Sequence, residues 1–187
     1  MPYFTPETEK DYGRSTEDLA IMNRRYDSLI EDIELVNPDE GQTEETRSEE
    51  IQALIDEIRD GIDSASDEER AFLSYLIDCE NDKTAWFDDF RDNGYHFYGQ
   101  GTVIKQGSAE YAIIPEDDID NAFKEYAEQY ADDCILPTMP QETRRYFDME
   151  AFIEDLQVDG YGVMSSYDGN YEEITVDGKT WYVFRLN

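Results

Sequence analysis

The 187 residues hold one histidine, His96, and two cysteines, Cys79 and Cys134. A zinc set cannot be drawn from them. A lone histidine inside an aromatic stretch reads as a packed or surface residue rather than a general base. The sequence holds no glycine-rich phosphate loop and no nucleophile elbow. Carboxylates are so numerous that no glycosidase-type pair stands out among them. These gaps point away from an enzyme, and no cofactor is expected. No run of about 20 apolar residues exists, so no transmembrane helix is expected. Residues 1–10 have neither a basic nor an apolar stretch, so the expectation is no signal peptide and a cytoplasmic location. Two cysteines outside any motif then read as buried thiols.

Basic residues are the next scarcity. Forty-seven Asp and Glu face fifteen Lys and Arg, a formal net charge of −32. The imbalance runs the length of the chain: residues 1–80 hold 24 acids against 7 bases, and residues 81–187 hold 23 against 8. A net charge of about 2–8 in magnitude keeps a small domain soluble; a larger one strains the folded state by self-repulsion. The excess therefore requires a reason. Such a field repels DNA and anionic membrane, which excludes direct binding to either. It does imitate a polyanion. Duplex DNA carries one charge per ~1.7 Å, so 32 charges match roughly 54 Å of it. Aromatic residues make up 13% of the chain, enough to build a core, which argues against a disordered acidic tail. Two other readings fit the charge. One is an acidic adaptor or chaperone for a basic nucleic-acid-binding protein. The other is a housekeeping protein adapted to high salt, where ions screen the repulsion. Five Lys against ten Arg suits that last reading, and fifteen Ile against six Val suits it less.

The first half has helical periodicity. Ser15 and Asp18 resemble a capping box. Leu19, Met22, Tyr26, Leu29, Ile30 and Ile33 then recur at spacings of three and four, which predicts a helix to about Val36, stopped by Asn37-Pro38 and Gly41. Asp27, Glu31 and Glu34 flank that stripe. Ile51, Leu54, Ile55 and Ile58 predict a second helix over 48–60, with Glu49, Asp56, Glu57 and Asp60 outward and Gly61 as its C-terminal cap. Ser66 and Glu69 form a capping box for a third helix, whose core face is Phe72, Leu73, Leu76 and Ile77. Three amphipathic helices on short loops predict an antiparallel bundle.

Beyond Asp82 the pattern changes. Tyr95 to Lys105 and Glu110 to Ile114 read as a hairpin turning at Gln106-Gly107-Ser108. Pro115 opens a helix to about Asp133, with Glu116, Asp117 and Asp118 in the first turn, where the helix dipole favours carboxylates. Its inner face is Ile119, Phe123, Tyr126, Ala127 and Tyr130. Its outer face is Asp117, Asp118, Glu125, Glu128, Asp132 and Asp133. Eight acids face one base, Lys124, over residues 116–133, whereas an ordinary surface helix mixes signs to gain i, i+4 pairs. Pro137 and Pro140 break the chain. Asp148 caps a further helix with Met149, Phe152, Ile153 and Leu156 inward and Glu150, Glu154 and Asp155 outward. Ile174-Thr175-Val176, Asp177-Gly178 and Trp181 to Phe184 predict a hairpin with a type I′ turn. Two acidic stretches imitate calcium loops imperfectly. In the first, Asp89 to Gly94, Arg91 stands at a ligand position. The second, Asp168, Asn170 and Glu172, lacks the required glycine. No metal site is expected.

Several segments within 123–163 together resemble a known family. They are Glu125-Tyr126-Ala127, Leu136-Pro137, Tyr146-Phe147-Asp148-Met149-Glu150-Ala151-Phe152 and Asp155-Leu156. This stretch is similar to the C-terminal part of ArdA-type antirestriction proteins, a pattern shared by related, often phage-borne, acidic proteins. The resemblance implies an elongated acidic DNA mimic that blocks DNA-binding defence enzymes, often as a homodimer. The N-terminal half carries no recognisable part of it. The expected fold is α+β. Residues 1–80 form an acidic helical bundle, and residues 81–187 an α+β domain with a small antiparallel sheet and two main helices. The expected function is non-enzymatic: an inhibitor in the host cytoplasm that occupies the basic DNA-binding groove of a defence nuclease from a restriction, CRISPR or related system. The face expected to meet that partner comprises Asp117, Asp118, Glu125, Glu128, Asp132, Asp133, Glu150, Glu154 and Asp155.

Overall fold

Hydrophobic spacing in the first half produces the helices it predicts. In a computed structural model, which describes residues 1–35 and 44–187 and the side chains outside 32–46, α1 spans Thr16–Leu35, α2 spans Glu44–Ser64 and α3 spans Asp67–Asp78. The expected stop of α1 at Val36, Asn37-Pro38 and Gly41 lies outside the described residues, as do the side chains of Ile33 and Glu34. The described chain forms two compact units. One is Met1–Asp89 with Val176–Gly178, and the other is Phe90–Thr175 with Lys179–Asn187.

In the first unit, the Ser15 hydroxyl oxygen accepts from the Asp18 amide at 2.9 Å, so the cap at the start of α1 forms. The Ser66–Glu69 box forms in both directions, at 3.2 and 2.8 Å. Leu19 and Met22 of α1, Leu54, Ile55 and Ile58 of α2, and every residue from Ala71 to Ile77 of α3 are buried. Helix α2 is longer than its stripe suggests at both ends. Gly61 does not cap it; it lies inside the last turns. A Cβ at Gly61 would stand 2.6 Å from Cζ2 of the buried Trp86, so the glycine makes room for an indole.

The N-terminal segment also belongs to this core. Phe4 is 1% exposed. Its N–H donates to Asn23 Oδ1 at 2.8 Å, its carbonyl accepts from Asn23 Nδ2 at 2.9 Å, and Arg59 lies over its ring at 5.2 Å. Burial of such a ring contributes about 1.5–3 kcal/mol.

The second unit is built on a five-stranded sheet of order β1-β2-β3-β5-β4. Its strands are β1 (Phe90–Phe97), β2 (Gly101–Gln106), β3 (Ala109–Pro115), β4 (Glu172–Val176) and β5 (Lys179–Arg185). The β2–β3 hairpin turns at Gly107-Ser108, as expected. The β4–β5 turn has φ of 54° at Asp177 and 74° at Gly178, the two positive values a type I′ turn requires. The expected single strand over 95–105 is two strands. A turn separates them, in which the Gly101 amide donates to the Tyr98 carbonyl at 3.3 Å and Gly99 adopts φ +63°. Glycine at the first central position is what a II′-like hairpin turn needs.

Pro115 ends β3 and is also the N-cap of a helical run, which opens as a 3-10 turn, Glu116–Asp118, before α4, Ile119–Tyr130. Helix α5 spans Met149–Gln157, and the Asp148 carboxylate caps it by accepting from the Ala151 amide at 3.1 Å. Register aligns Ala112 with Phe184 and Ile114 with Tyr182, so these side chains share one face of the sheet. Ile119, Ala122, Phe123 and Ala127 of α4 pack there, joined by Phe152, Ile153 and Leu156 of α5. The architecture is α+β, with five α-helices and one antiparallel sheet among the described residues.

Cys79 and Cys134 are exposed, not buried. Cys79 follows the last core residue of α3, and Cys134 lies beyond Ala131, where the helix has left the core. The calcium-like acids cap local turns instead. Asp89 accepts from the Trp86 amide at 2.8 Å, Asp92 from the Gly94 amide at 2.7 Å, and Asp168 from the Asn170 amide at 3.0 Å.

Candidate partner-binding face

The outer side of α4 is one stretch of a longer helical run. The run begins with the 3-10 turn at Glu116–Asp118 and passes through α4. It continues as a π turn over Ala131–Ile135 and ends in a 3-10 turn at Leu136–Thr138. It therefore outlasts the end expected near Asp133, and Pro137 lies inside it. Its inner stripe anchors it, since Ile119, Ala122, Phe123, Ala127 and Ala131 are each at most 4% exposed. Tyr126 and Tyr130 were expected inward with them. Tyr126 is half-buried, and Tyr130 is 38% exposed and stacks between Tyr126 at 6.1 Å and Phe152 at 6.3 Å. The π turn adds a residue per turn, a feature frequent at functional sites. Asp132 and Asp133 are both exposed on it.

The six α4-run acids of the expected face differ in how they are held. Asp117, Asp132 and Asp133 stand in solvent, and Asp133 accepts from the Gln129 side-chain nitrogen at 3.4 Å. Glu128 pairs loosely with Lys124 at 3.9 Å. Asp118 and Glu125 are engaged with backbone. Glu125 Oε2 accepts from the Gly99 amide at 2.6 Å, and Asp118 Oδ2 accepts from the Gln100 amide. The Asn121 side-chain nitrogen lies 3.4 Å from the other oxygen of each carboxylate. On α5, Glu150, Glu154 and Asp155 are exposed on the side opposite Phe152, Ile153 and Leu156.

Five participants were not expected from spacing. Asn121 carries no charge, so a count of acids passes over it. Asp120 accepts from the Tyr161 hydroxyl at 2.6 Å. Burial, reinforced by that bond, pushes the Tyr161 phenol up to about 12. Gly99 and Gln100 supply amides from a turn 18 and 26 residues away in sequence. Only the glycine spacing at 99 and 101 hinted at that turn.

Burial also raises the phenols of Tyr98 and Tyr126, with Asp133 adding to the first. Both therefore stay neutral beside the carboxylates. The face can present anionic oxygens at the ends of short side chains on a rigid helix. No base among the described residues approaches Asp117, Asp132 or Asp133 closely enough for an ion pair.

Comparison with known families matches residues 11–173 to the antirestriction protein family ArdA. The chain belongs to the ArdA family. The match reaches well beyond the C-terminal stretch that carries the visible resemblance, into the first helices. No curated protein and no solved structure matches the chain. No described helix is long and apolar enough to cross a membrane.

Proposed function

We propose that the protein inhibits a restriction enzyme by occupying its DNA-binding groove, with carboxylates of the α4 run and of α5 standing in for phosphates. Asp117, Glu128, Asp132, Asp133, Glu150, Glu154 and Asp155 are the proposed contacts, and Asp118 and Glu125 belong to the same face. One observation carries this reading. Among the described residues no base forms an ion pair with Asp117, Asp132 or Asp133, and Glu128 has only the 3.9 Å contact with Lys124, in a fold that supplies closer partners elsewhere, as at Asp11 and Arg59. An uncompensated row of one sign is a cost to stability that a basic groove repays. Charge complementarity of this kind speeds association and weakens as salt rises. The partner is a protein, and neither membrane nor nucleic acid is bound directly.

A competition gel shift tests the reading. A restriction enzyme is held on its DNA, and the protein is titrated in at low and high salt. The parent should displace DNA, and displacement should weaken with salt. Conversion of Asp117, Glu128, Asp132 and Asp133 to their amides should weaken displacement at least tenfold while the melting temperature holds or rises. Displacement of DNA unaffected by that variant, or no displacement at any concentration, overturns the proposal. Weak shielding of unrelated basic proteins with no preference for the enzyme would return the acidic-adaptor reading.

A further inference from the structure

The face-forming carboxylates of α4 are not equivalent, and the difference centres on an uncharged residue. We propose that Asn121 is a positioning residue for this face, and that Asp118 and Glu125 serve the face by holding backbone instead of meeting the partner. Asp118, Asn121 and Glu125 stand at i, i+3 and i+7, one stripe of the helix. Asn121 Nδ2 lies 3.4 Å from Asp118 Oδ1 and 3.4 Å from Glu125 Oε1, so its two hydrogens serve one carboxylate each. The remaining oxygens accept from the turn, Glu125 Oε2 from the Gly99 amide at 2.6 Å and Asp118 Oδ2 from the Gln100 amide. Two carboxylates that would repel each other are thus held by neutral donors.

The turn is shaped for this contact. Gly99 has φ +63°, and a Cβ there would stand 2.1 Å from Asp118 Oδ2, so a side chain at 99 would expel the carboxylate. Tyr98 of the same turn meets the Tyr126 ring edge-on at 5.5 Å. The Tyr98–Gly101 turn is thereby fastened to α4 by two carboxylates and a ring contact. Fixing a face in advance of binding lowers the ordering cost at the moment of binding. The effect on inhibition rests on the function proposed above; the hydrogen-bonded network does not.

Variants that separate charge from geometry test the assignment. Asn121→Asp adds a carboxylate to the face while removing the bridging donors, and an acid this early in α4 suits the helix dipole. If charge alone matters, Asn121→Asp competes at least as well as the parent. If Asn121 positions the face, hydrogen exchange of the Gly99 and Gln100 amides quickens by about fivefold, and competition against DNA weakens several-fold. Glu125 gives a second, crossed comparison. Glu125→Gln keeps an oxygen for the Gly99 amide and loses the charge; Glu125→Asp keeps the charge and loses the reach. Positioning ranks Gln above Asp in amide protection and in competition, and direct contact ranks Asp above Gln. Unchanged exchange in Asn121→Asp overturns the network. Faster exchange with full competition overturns its role in positioning. A paired Asp132→Asn, Asp133→Asn control keeps the two proposals apart: if it too leaves competition intact, the mimic face is wrong, while amide exchange still decides the network.

Discussion

The two units carry the same sign of charge and live with it by different means. Met1–Asp89 with Val176–Gly178 holds 28 acids against 8 bases, and Phe90–Thr175 with Lys179–Asn187 holds 19 against 7. In the first unit most of the bases make ion pairs, while Arg25 lies over the Trp86 ring at 5.1 Å. Lys10 meets Asp56 at 3.0 Å, Arg14 meets Asp63 at 3.0 Å, Arg24 meets Asp78 at 3.2 Å and Arg59 meets the fully buried Asp11 at 3.3 Å. In the second unit the ion pairs are long, 3.7 Å for Lys105–Glu110 and 3.9 Å for Lys124–Glu128. There Arg145 and Arg185 lie over the rings of Tyr146 and Tyr167, and Arg144 donates to main-chain carbonyls. Asp118, Asp120 and Glu125 of that unit are held by neutral donors instead: backbone amides, Asn121 and the Tyr161 hydroxyl. A cation cancels the field of the carboxylate it holds, whereas an amide or hydroxyl orients the carboxylate and leaves most of its charge facing outward. The second arrangement is the one a phosphate mimic requires.

The sharpest break of this comparison is at Asp11. Asp11→Ala removes the carboxylate facing Arg59, whose side chain is 10% exposed, and Arg14, whose side chain is 14% exposed. Removing one partner of a buried ion pair costs about 3–5 kcal/mol. Arg14 keeps Asp63 at 3.0 Å and Arg59 keeps a longer contact with Asp56 at 3.9 Å. The first unit should therefore melt well below the parent in a thermal scan, with a loss toward the lower end of that range. Adding Arg59→Met should recover part of the loss, because an apolar replacement of both partners is far less costly than removal of one. A melting temperature unchanged by Asp11→Ala would mean that ion pairs do not hold this unit together.

Gly61→Ala probes packing in the same unit, with a smaller loss. Alanine is favoured over glycine in a helix by about 1 kcal/mol, so propensity alone predicts a gain. The new Cβ would stand 2.6 Å from Trp86 Cζ2, and Trp86 is 3% exposed. Overpacking of this kind costs about 1–3 kcal/mol, so a net loss is expected in urea denaturation. A stabilised variant would show that the indole shifts freely.

Gly61 also illustrates what the sequence did and did not disclose. Signals confined to a few neighbouring residues were legible: the Ser66–Glu69 box, the Asp148 cap, the Asp177-Gly178 turn and the α+β class. The stripes of α1 to α3 fixed which faces are buried. Gly61 misled, because a glycine after a helical stripe reads as a cap, and its real reason is an indole 25 residues downstream. The turn at Tyr98–Gly101 was hidden for the same cause: it is held by Asp118 and Glu125, and local spacing cannot report such contacts. The face on α4 was legible as a list of acids but not as a set of roles, since whether a carboxylate faces solvent or a distant amide is a tertiary fact. The core role of Phe4 and Asp11 left no periodic trace at all.

Ser66→Ala should cost about 1 kcal/mol, the usual loss for an N-cap hydroxyl, because the Glu69 amide loses its acceptor at 3.2 Å. The melt should shift modestly and inhibition should not. Tyr161 gives an alkaline counterpart in the second unit. Its phenol lies at about 12 when folded against about 10 unfolded. The folded state thus binds the proton more tightly, and the stability this provides is complete below pH 10 and is lost as pH rises from about 10 toward 12. Tyr161→Phe should flatten that part of the stability–pH curve; an identical alkaline loss in the variant would exclude this phenol as its source.

The smallest effect separates the two ways of holding an acid most directly. Hydrogen bonding from Lys10 holds the Asp56 carboxyl below its ordinary range in the first unit. In the second, the Asn170 amide, helped by Ser165 and the Asn170 side chain, does the same for Asp168. Both folded values lie below the unfolded one, so each contribution is present above the unfolded pKa near 3.9 and is lost as pH falls through the depressed value. Their salt dependence should differ. The Lys10–Asp56 pair is exposed, at 61% and 50% of side-chain surface, and exposed pairs are weak and readily screened. Raising salt from about 0.1 to 1 M shortens the screening length from ~10 to ~3 Å. Carboxyl-carbon NMR titrations at those two salt levels should find Asp56 moving back toward its ordinary value while Asp168 stays depressed, because short hydrogen bonds from neutral donors are not screened away. Equal movement of both groups would mean that the acids of the two units are held alike.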